Sequence, residues 1–165
     1  MKKISFAIVA LVTILGFSNC TKNNTTTTNN AFSITTDINP GDWKYNSGNA
    51  TASFVWNVGN NVLPPDGNNG AEAVLMYLAA VNSDGSITEY DQLPTTNYYG
   101  YQFYPIHSPG QIVIDINSAN PNATSLVLPT RKFYLKVIII DAVALKSSGV
   151  NTQNYSAVKA AFHLN

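Results

Sequence analysis

Apolar and polar side chains alternate along residues 51–58 and again along residues 111–116. Successive side chains of a β-strand point to opposite faces, so a period of two predicts a strand with one face on a hydrophobic core. No long segment of helical periodicity separates the two stretches. These patterns constrain the chain to an all-β core. The expected core faces comprise Ala52, Phe54, Trp56, Val58, Ile112, Ile114 and Ile116.

Two further runs, residues 73–81 and 133–140, are apolar on both faces. Strands of this kind usually lie in the centre of a sheet and are covered on both sides. Turn signals recur at short spacing between the candidate strands, for example the Pro-Gly pairs within residues 39–41 and 108–110. We therefore predict an antiparallel β-sandwich of about seven strands over residues 31–141. The expected strands lie near residues 31–36, 50–58, 72–81, 86–92, 97–104, 111–117 and 132–140.

The hydrophobic period changes at the end of the chain. Asn154 can cap a helix, and Tyr155, Val158 and Phe162 then follow at the spacing of one helical face. A helix of two or three turns is unstable alone, because its nucleation is unfavourable and few hydrogen bonds follow. We therefore expect residues 142–165 to form a loop and a short C-terminal α-helix docked on the sandwich.

The N-terminus has the layout of a bacterial lipoprotein signal. Two lysines precede an apolar run at residues 4–17, and the chain's single cysteine, Cys20, follows shortly after it. This layout predicts a signal peptide at residues 1–19, lipidation of Cys20 with palmitate-type chains, and a flexible polar tether over residues 20–30. An uncleaved membrane anchor and an ordinary secretory signal are the alternatives. The run is shorter than the roughly 20 residues that a spanning helix needs, and Phe17 and Asn19 are not the small residues that a secretory cleavage site prefers.

The charge of the chain implies no electrostatic partner. Loss of the signal removes two lysines and leaves seven basic and nine acidic side chains, a net charge of −2. Nucleic-acid binding needs clustered lysine and arginine, and the only adjacent basic pair after Cys20 is Arg131-Lys132, so we expect no nucleic-acid partner. Charged residues are 11% of the chain, against about 25% in an average domain, so Asn, Thr and Ser must supply solubility. With the signal, this predicts a lipid-anchored outer-membrane protein on the periplasmic or cell-surface face.

A series of segments in fixed order carries a family resemblance. The segments are Trp43, residues 70–78 (GAEAVLMYL), Leu93-Pro94, residues 98–104, residues 111–114 (QIVI), residues 133–140 and residues 154–162 (NYSAVKAAF). They resemble small uncharacterised lipoproteins of Bacteroidetes-type bacteria over nearly the whole mature domain. The resemblance implies a β-sandwich in the cell envelope, sometimes preceded by a collagen-like stretch whose place the polar tether takes here. It implies no catalytic residue.

The aromatic residues at 98–104 are the strongest candidate for a binding surface. Strand alternation would place Tyr99, Tyr101 and Phe103 together on one face. Exposed rings can stack on sugars or contact another protein, because each ring offers flat apolar area and tyrosine adds a hydroxyl. The plainer explanation is that aromatic side chains favour strands. Any ligand, a glycan or another envelope protein, is expected at these three residues. The opposite face would carry Tyr98, Gln102 and Tyr104.

No sequence motif predicts catalysis. The chain lacks a glycine-rich phosphate loop, a Gly-x-Ser-x-Gly elbow and paired cysteines, and packing is the commoner role for residues such as His107 and His163. Residues 82–86 alternate oxygen-bearing side chains as calcium loops do, but Asp84-Gly85 is also a common hairpin turn. We expect no metal, no cofactor and a non-enzymatic binding or structural role. The alternative is a carboxylate-based polysaccharide hydrolase, which needs two carboxylates about 5 to 10 Å apart in a groove.

Overall fold

The computed structural model describes residues 31–46, 50–63 and 72–164. The expected signal peptide, the polar tether and the lipidation of Cys20 therefore lie outside the described residues. Of the helices in the described part of the chain, none is long and apolar enough to cross a membrane.

Nine strands in the described residues form two antiparallel sheets, which confirms the predicted β-sandwich. The four-stranded sheet consists, in spatial order, of β1 (Ala31–Ile38), β9 (Phe133–Asp141), β4 (Glu72–Ala80) and β5 (Asp91–Gln92). The five-stranded sheet consists, in spatial order, of β2 (Lys44–Tyr45), β3 (Thr51–Asn57), β8 (Gln111–Ser118), β7 (Tyr101–Ser108) and β6 (Thr95–Tyr98). Two short helices follow β9, namely α1 (Ala142–Ser148) and α2 (Tyr155–Ala161).

The alternation along β3 and β8 is the one predicted from the sequence. Ala52 and Phe54 of β3 are buried, and Trp56 and Val58 pack at the margin of the same core. All three inward isoleucines of β8 are buried as well. Because β3 and β8 are directly paired, the two predicted core faces form one continuous apolar surface.

Aromatic rings from both sheets meet in the core between them. The ring centroid of Phe103, on β7, lies 5.3 Å from that of Phe133, on β9. It also lies 6.1 Å from the ring of Trp43, which follows a 3-10 turn at Pro40–Asp42 and is only 2% exposed. These edge-on arrangements bring the positive ring edge to the negative ring face. The two sheets are thus joined by packed rings in the core between them.

A second apolar cluster lies on the outer face of the four-stranded sheet, under the two helices. Val158 of α2 is fully buried in this cluster together with Tyr77 and Ile138 of the sheet. Tyr155 and Phe162 are half-buried at its margin. The predicted docking of a C-terminal helix through this apolar stripe is confirmed.

Buried polar contacts hold α2 in place. The Lys136 ammonium, on β9, donates a hydrogen bond to the Tyr155 hydroxyl at 2.9 Å. The Tyr77 hydroxyl donates to the Thr152 carbonyl oxygen at 2.5 Å. Burial, assisted by the neighbouring Tyr155, raises the pKa of Tyr77 to about 12. The Tyr77 hydroxyl therefore stays protonated and keeps its hydrogen bond to Thr152 at ordinary pH.

The single strand expected at residues 97–104 is wrong. The chain reverses at Tyr99 and Gly100, which both have positive φ, 53° and 84° respectively. Tyr98 of β6 pairs with Tyr101 of β7 across this two-residue turn. Two left-handed residues in succession suit the right-handed twist of a hairpin, and Gly100 adopts this conformation without steric cost.

Two other segments also differ from expectation. Residues 142–148, expected to be a loop, form α1, because the Asp141 carboxylate accepts the Ala144 N–H at 2.8 Å and so caps the helix. Gly149, at φ 62°, ends α1 in the left-handed conformation that glycine favours. The strand expected at residues 86–92 is reduced to β5 and an isolated bridge to Ile87.

The register of the strands defines the two ends of the sandwich. Phe133, at the start of β9, contacts Tyr98 and Phe103, so the β6–β7 turn lies at this end. In the four-stranded sheet Ile38 is opposite Phe133. The first residue of β1, Ala31, therefore lies at the other end, away from the β6–β7 turn.

Candidate functional site

The three predicted ligand-binding residues do not share an exposed surface. Phe103 is fully buried in the core between the sheets, which corrects the expectation that it contacts a ligand. Tyr101 is half-buried at the core margin, 6.1 Å from the Phe103 ring, and its burial raises the pKa of its hydroxyl. Tyr99 is the only one of the three that is exposed, at 47%. These residues do not form a common exposed surface because the inward side chains of β7 pack in the core.

Tyr99 belongs to a small cluster at the β6–β7 turn. The Arg131 guanidinium carbon lies 3.8 Å from the centroid of the Tyr99 ring, and the Tyr98 ring packs edge-on at 4.8 Å. A guanidinium at this distance is attracted by the negative face of the ring. The contact occupies one face of Tyr99 and holds a left-handed tyrosine in place. These contacts explain the arrangement of Tyr99 and Arg131 without a ligand.

The side of β7 opposite the core faces solvent. Gln102, Tyr104, Ile106 and Ser108 alternate with the inward residues, and Tyr104 and Ile106 are 42% and 49% exposed. The same alternation turns outward the odd-numbered residues of β3 and β8. We call the resulting surface the open face. It consists of Thr51, Ser53, Val55, Asn57, Gln102, Tyr104, Ile106, Ser108, Gln111, Val113, Asp115 and Asn117.

Strand register arranges the open face into rows that cross the sheet. An apolar row contains Ile106, Val113 and Val55, because Val113 is opposite both of the others. The adjacent row contains Tyr104 and Ser53, each opposite Asp115. Four such rows on three strands cover an area about 20 Å long and about 10 Å wide. The outermost rows are Ser108, Gln111 and Asn57 at one end and Gln102, Asn117 and Thr51 at the other.

Hydrogen bonds orient several side chains on the open face. The Tyr104 hydroxyl donates to the Gln102 side-chain oxygen at 2.8 Å, and the Ser53 hydroxyl donates to Asp115 at 2.6 Å. Asp115 is the single charged residue among the twelve that define the face. The surface therefore combines one apolar row and one tyrosine ring with oriented amides and hydroxyls. It has little net charge with which to attract an ionic ligand.

Sequence reasoning missed this surface although the necessary signal was present. The alternation predicts the inward isoleucines of β8 and places Gln102 and Tyr104 on the face opposite Phe103. Antiparallel pairing of β7 with β8 then defines the outward set. The expectation of a ligand on the face of Tyr101 and Phe103 is wrong because the core buries Phe103 and half-buries Tyr101.

The carboxylates required by the hydrolase alternative are mostly held in structural contacts. Asp37 pairs with Lys132 at 2.7 Å, and Asp141 caps α1. Glu72 and Asp141 are directly opposite on β4 and β9, which puts their Cβ atoms about 5 Å apart at the end of the sandwich. The cap contact already explains the position of Asp141. The carboxylates from which such a pair could be drawn are those of Asp37, Asp42, Glu72, Glu89, Asp91, Asp115 and Asp141.

Residues 82–86 form a hairpin turn. Asp84 accepts hydrogen bonds from the side-chain hydroxyl and the backbone N–H of Ser86, at 2.6 and 2.9 Å, and these bonds lower the pKa of its carboxyl. The carboxylate is thus engaged with its own turn. Over residues 31–46, 50–63 and 72–164, no group of three or more His, Cys, Asp or Glu side chains is close enough to hold a metal.

Comparisons of the chain with protein-family models, with curated proteins and with solved structures find no match. Function must therefore be inferred from the N-terminal sequence and from the geometry of the open face.

Proposed function

We propose that this protein is a lipid-anchored protein of the outer membrane that binds a neutral polysaccharide on the open face, without catalysing a reaction. The observation that carries the proposal is that one outer sheet face is covered by helices and the other is exposed to solvent. Helices cover the outer face of the four-stranded sheet, where Tyr77, Ile138 and Ile140 are fully buried. On the open face, Val55, Tyr104 and Ile106 remain between 42% and 50% exposed.

Large exposed apolar side chains in one contiguous patch have a solvation cost and commonly mark a binding surface. On the open face these side chains sit mainly among amides and hydroxyls. Asp115, opposite Tyr104, is the one charged residue of the face, and Lys44 of β2 follows in the same row, opposite Ser53. A neutral sugar polymer offers the matching chemistry, because its ring faces are apolar and its hydroxyls donate and accept hydrogen bonds. The flat tyrosine ring of Tyr104 can stack on a sugar, while Gln102, Gln111 and Asn57 can bond to its hydroxyls.

Substituting Tyr104 with alanine tests this proposal. We expect the full chain to be retained by one of a set of neutral polysaccharides, namely cellulose, a β-1,3-glucan, a mannan and starch. Tyr104→Ala should weaken that retention about tenfold, equivalent to about 1.4 kcal/mol, through loss of the stacked ring. The measurement is depletion of the protein from solution by increasing amounts of each polysaccharide.

Tyr99→Ala is the matched control, because it removes a tyrosine of similar exposure, 47% against 42%, from a different surface. It should leave retention unchanged. Retention by polygalacturonate alone, or by none of the polymers, would contradict the neutral-glycan proposal. Loss of binding in Tyr99→Ala with full binding in Tyr104→Ala would move the site to the β6–β7 turn.

The proposed anchor is supported by the N-terminal sequence and is compatible with the fold. The polar segment at residues 20–30 leads directly into β1, whose first residue, Ala31, lies at the end of the sandwich away from the β6–β7 turn. Eleven extended residues reach about 36 Å. A domain held in this way keeps the open face on its flank, accessible to a polymer in the envelope.

Cys20→Ala tests the anchor separately from glycan binding. We expect the variant to incorporate no palmitate and to remain unprocessed, because the acylated side chain and the peptidase recognition site are lost together. Two or three acyl chains, at about 0.8 kcal/mol for each buried methylene, make attachment effectively permanent in the wild type. Metabolic labelling with palmitate is the measurement, and equal labelling of variant and wild type would refute lipidation at this residue.

A further inference from the structure

The four edges of the two sheets are not equivalent. Strands β2 and β5 each have two residues, and β6 has four residues with a register shift against β7. Strand β1 has eight residues, and it pairs with β9 in one unbroken register from Ala31 to Ile38. In the described part of the chain, β1 pairs with β9 alone, so its other edge is open.

An open edge presents unpaired N–H and C=O groups to any other strand. Proteins block this hazard with short or bulged edge strands, with proline, or with lysine on the edge. Strands β2 and β5 are short, and β6 is both short and irregular in its register against β7. The sequence of β1, AFSITTDI, contains neither proline nor lysine nor glycine, and half of it is β-branched. The one long edge is thus the one that carries none of these devices.

We infer that β1 is a self-association edge, on which β1 of a second copy of this chain pairs in the antiparallel direction. The two four-stranded sheets would then join into one sheet of eight strands. A two-fold axis perpendicular to the sheet relates the copies, so the contact is the same on both sides and closes as a dimer.

The side chains of β1 favour its own copy as partner. The even-numbered residues Phe32 and Ile34 face the core side, and the odd-numbered Ser33 and Thr35 face the outer side. A two-fold axis perpendicular to the sheet preserves these faces. Phe32 and Ile34 therefore meet apolar or threonine side chains, and Thr35 meets Ser33 or the Thr35 of the other copy. The Phe32 side chain, 43% exposed in one copy, gains neighbours from the other.

The faces and the charge of β1 both suit the antiparallel arrangement. Parallel pairing of the same two free edges would need a half-turn about the strand axis, which would continue the core side of one sheet as the outer side of the other. Asp37 is the only charged residue of the strand, and its carboxylate pairs with Lys132 at 2.7 Å. Antiparallel pairing centred on Ile34 or Thr35 separates the two Asp37 residues by about 13 to 20 Å, which is more than the screening length of about 10 Å in 0.1 M salt. The same geometry puts the two Ala31 ends about 20 to 26 Å apart, within reach of two eleven-residue tethers from one membrane.

The test compares a lysine substitution on β1 with the same substitution on β6, the short and irregular edge strand of the other sheet. We expect the full chain in mild detergent to have twice the protomer mass by light scattering after size exclusion. Thr35→Lys places a charge at the centre of the proposed contact and should weaken dimerisation at least tenfold. Thr96→Lys, at an exposed threonine of β6, should leave the dimer intact. Both sites are exposed, so both variants should fold.

Cross-linking locates the contact independently of the lysine variants. Thr35→Cys should react with a short bismaleimide to give a covalent dimer, because the two sulfur-bearing positions lie either opposite or diagonal to each other, about 5 to 8 Å apart. Thr96→Cys should not, and the wild-type chain gives the background from Cys20. A monomer at 100 μM, a dimer that persists in Thr35→Lys, or equal cross-linking at both positions would overturn the inference.

Discussion

Phe103→Ala is expected to lower the free energy of unfolding by about 3 to 5 kcal/mol, the range for truncation of a fully buried phenylalanine. The ring contacts Trp43 and Phe133 at centroid distances of 6.1 and 5.3 Å, so its removal leaves a cavity between the two sheets. Neither sheet can close the gap without moving the aromatic residues that join them. Urea unfolding followed by tryptophan fluorescence measures the change.

Tyr104→Ala is the matched control for this prediction, because it removes an aromatic ring from the next residue of the same strand. The ring lies on the open face and is 42% exposed, so its loss should cost about 1 kcal/mol or less. Equal destabilisation by the two substitutions would mean that β7 has been assigned the wrong inward face. The same control also shows that Tyr104→Ala is folded when its polysaccharide binding is measured.

Val158→Asp should destabilise the domain by several kcal/mol. Val158 is fully buried under α2 beside Tyr77 and Ile138, and an aspartate there would be a charge without a partner in an apolar cluster. The loss of unfolding free energy cannot exceed the free energy of detaching α2, because detachment would release the aspartate into solvent. It would also expose the outer face of the four-stranded sheet. Thermal unfolding by circular dichroism and binding of a hydrophobic dye report the two consequences.

Ser156→Asp controls for the introduction of aspartate into the same helix. Ser156 is exposed in the first turn of α2, where a negative charge interacts favourably with the helix dipole. Its effect should stay within about 0.5 kcal/mol. If Val158→Asp were equally silent, α2 would be a detachable tail, and the covered face would have to be explained in another way.

The sequence was sufficient where one physical effect dominated. Burial alone fixes the period of two along β3 and β8 and the apolar runs of β4 and β9, so these strands could be predicted. Tyr155, Val158 and Phe162 likewise form the single apolar face of a helix, so the docking of that helix could be predicted. The sequence was insufficient where local geometry decides. The turn at Tyr99 depends on a left-handed tyrosine that no turn propensity suggests.

The candidate site could be predicted less well than the fold, for a related reason. Knowing that aromatic residues cluster near β7 does not show which of them the core takes. That outcome depends on the pairing of β7 with β8, which buries Phe103 and leaves Tyr104 outside. Helix α1 was missed because its cap, Asp141, and its terminating Gly149 flank a segment too short to display a helical period.

Binding on the open face is the central functional proposal, and chemical-shift mapping by nuclear magnetic resonance tests it most directly. An isotope-labelled protein would be titrated with soluble oligosaccharides of the polysaccharide that retains it. We predict that the largest amide and methyl shifts occur at Val55, Tyr104, Ile106 and Val113, on three adjacent strands of one face. Shifts confined to Tyr99 and Arg131, or shifts on the helix-covered face of the other sheet, would contradict the proposal.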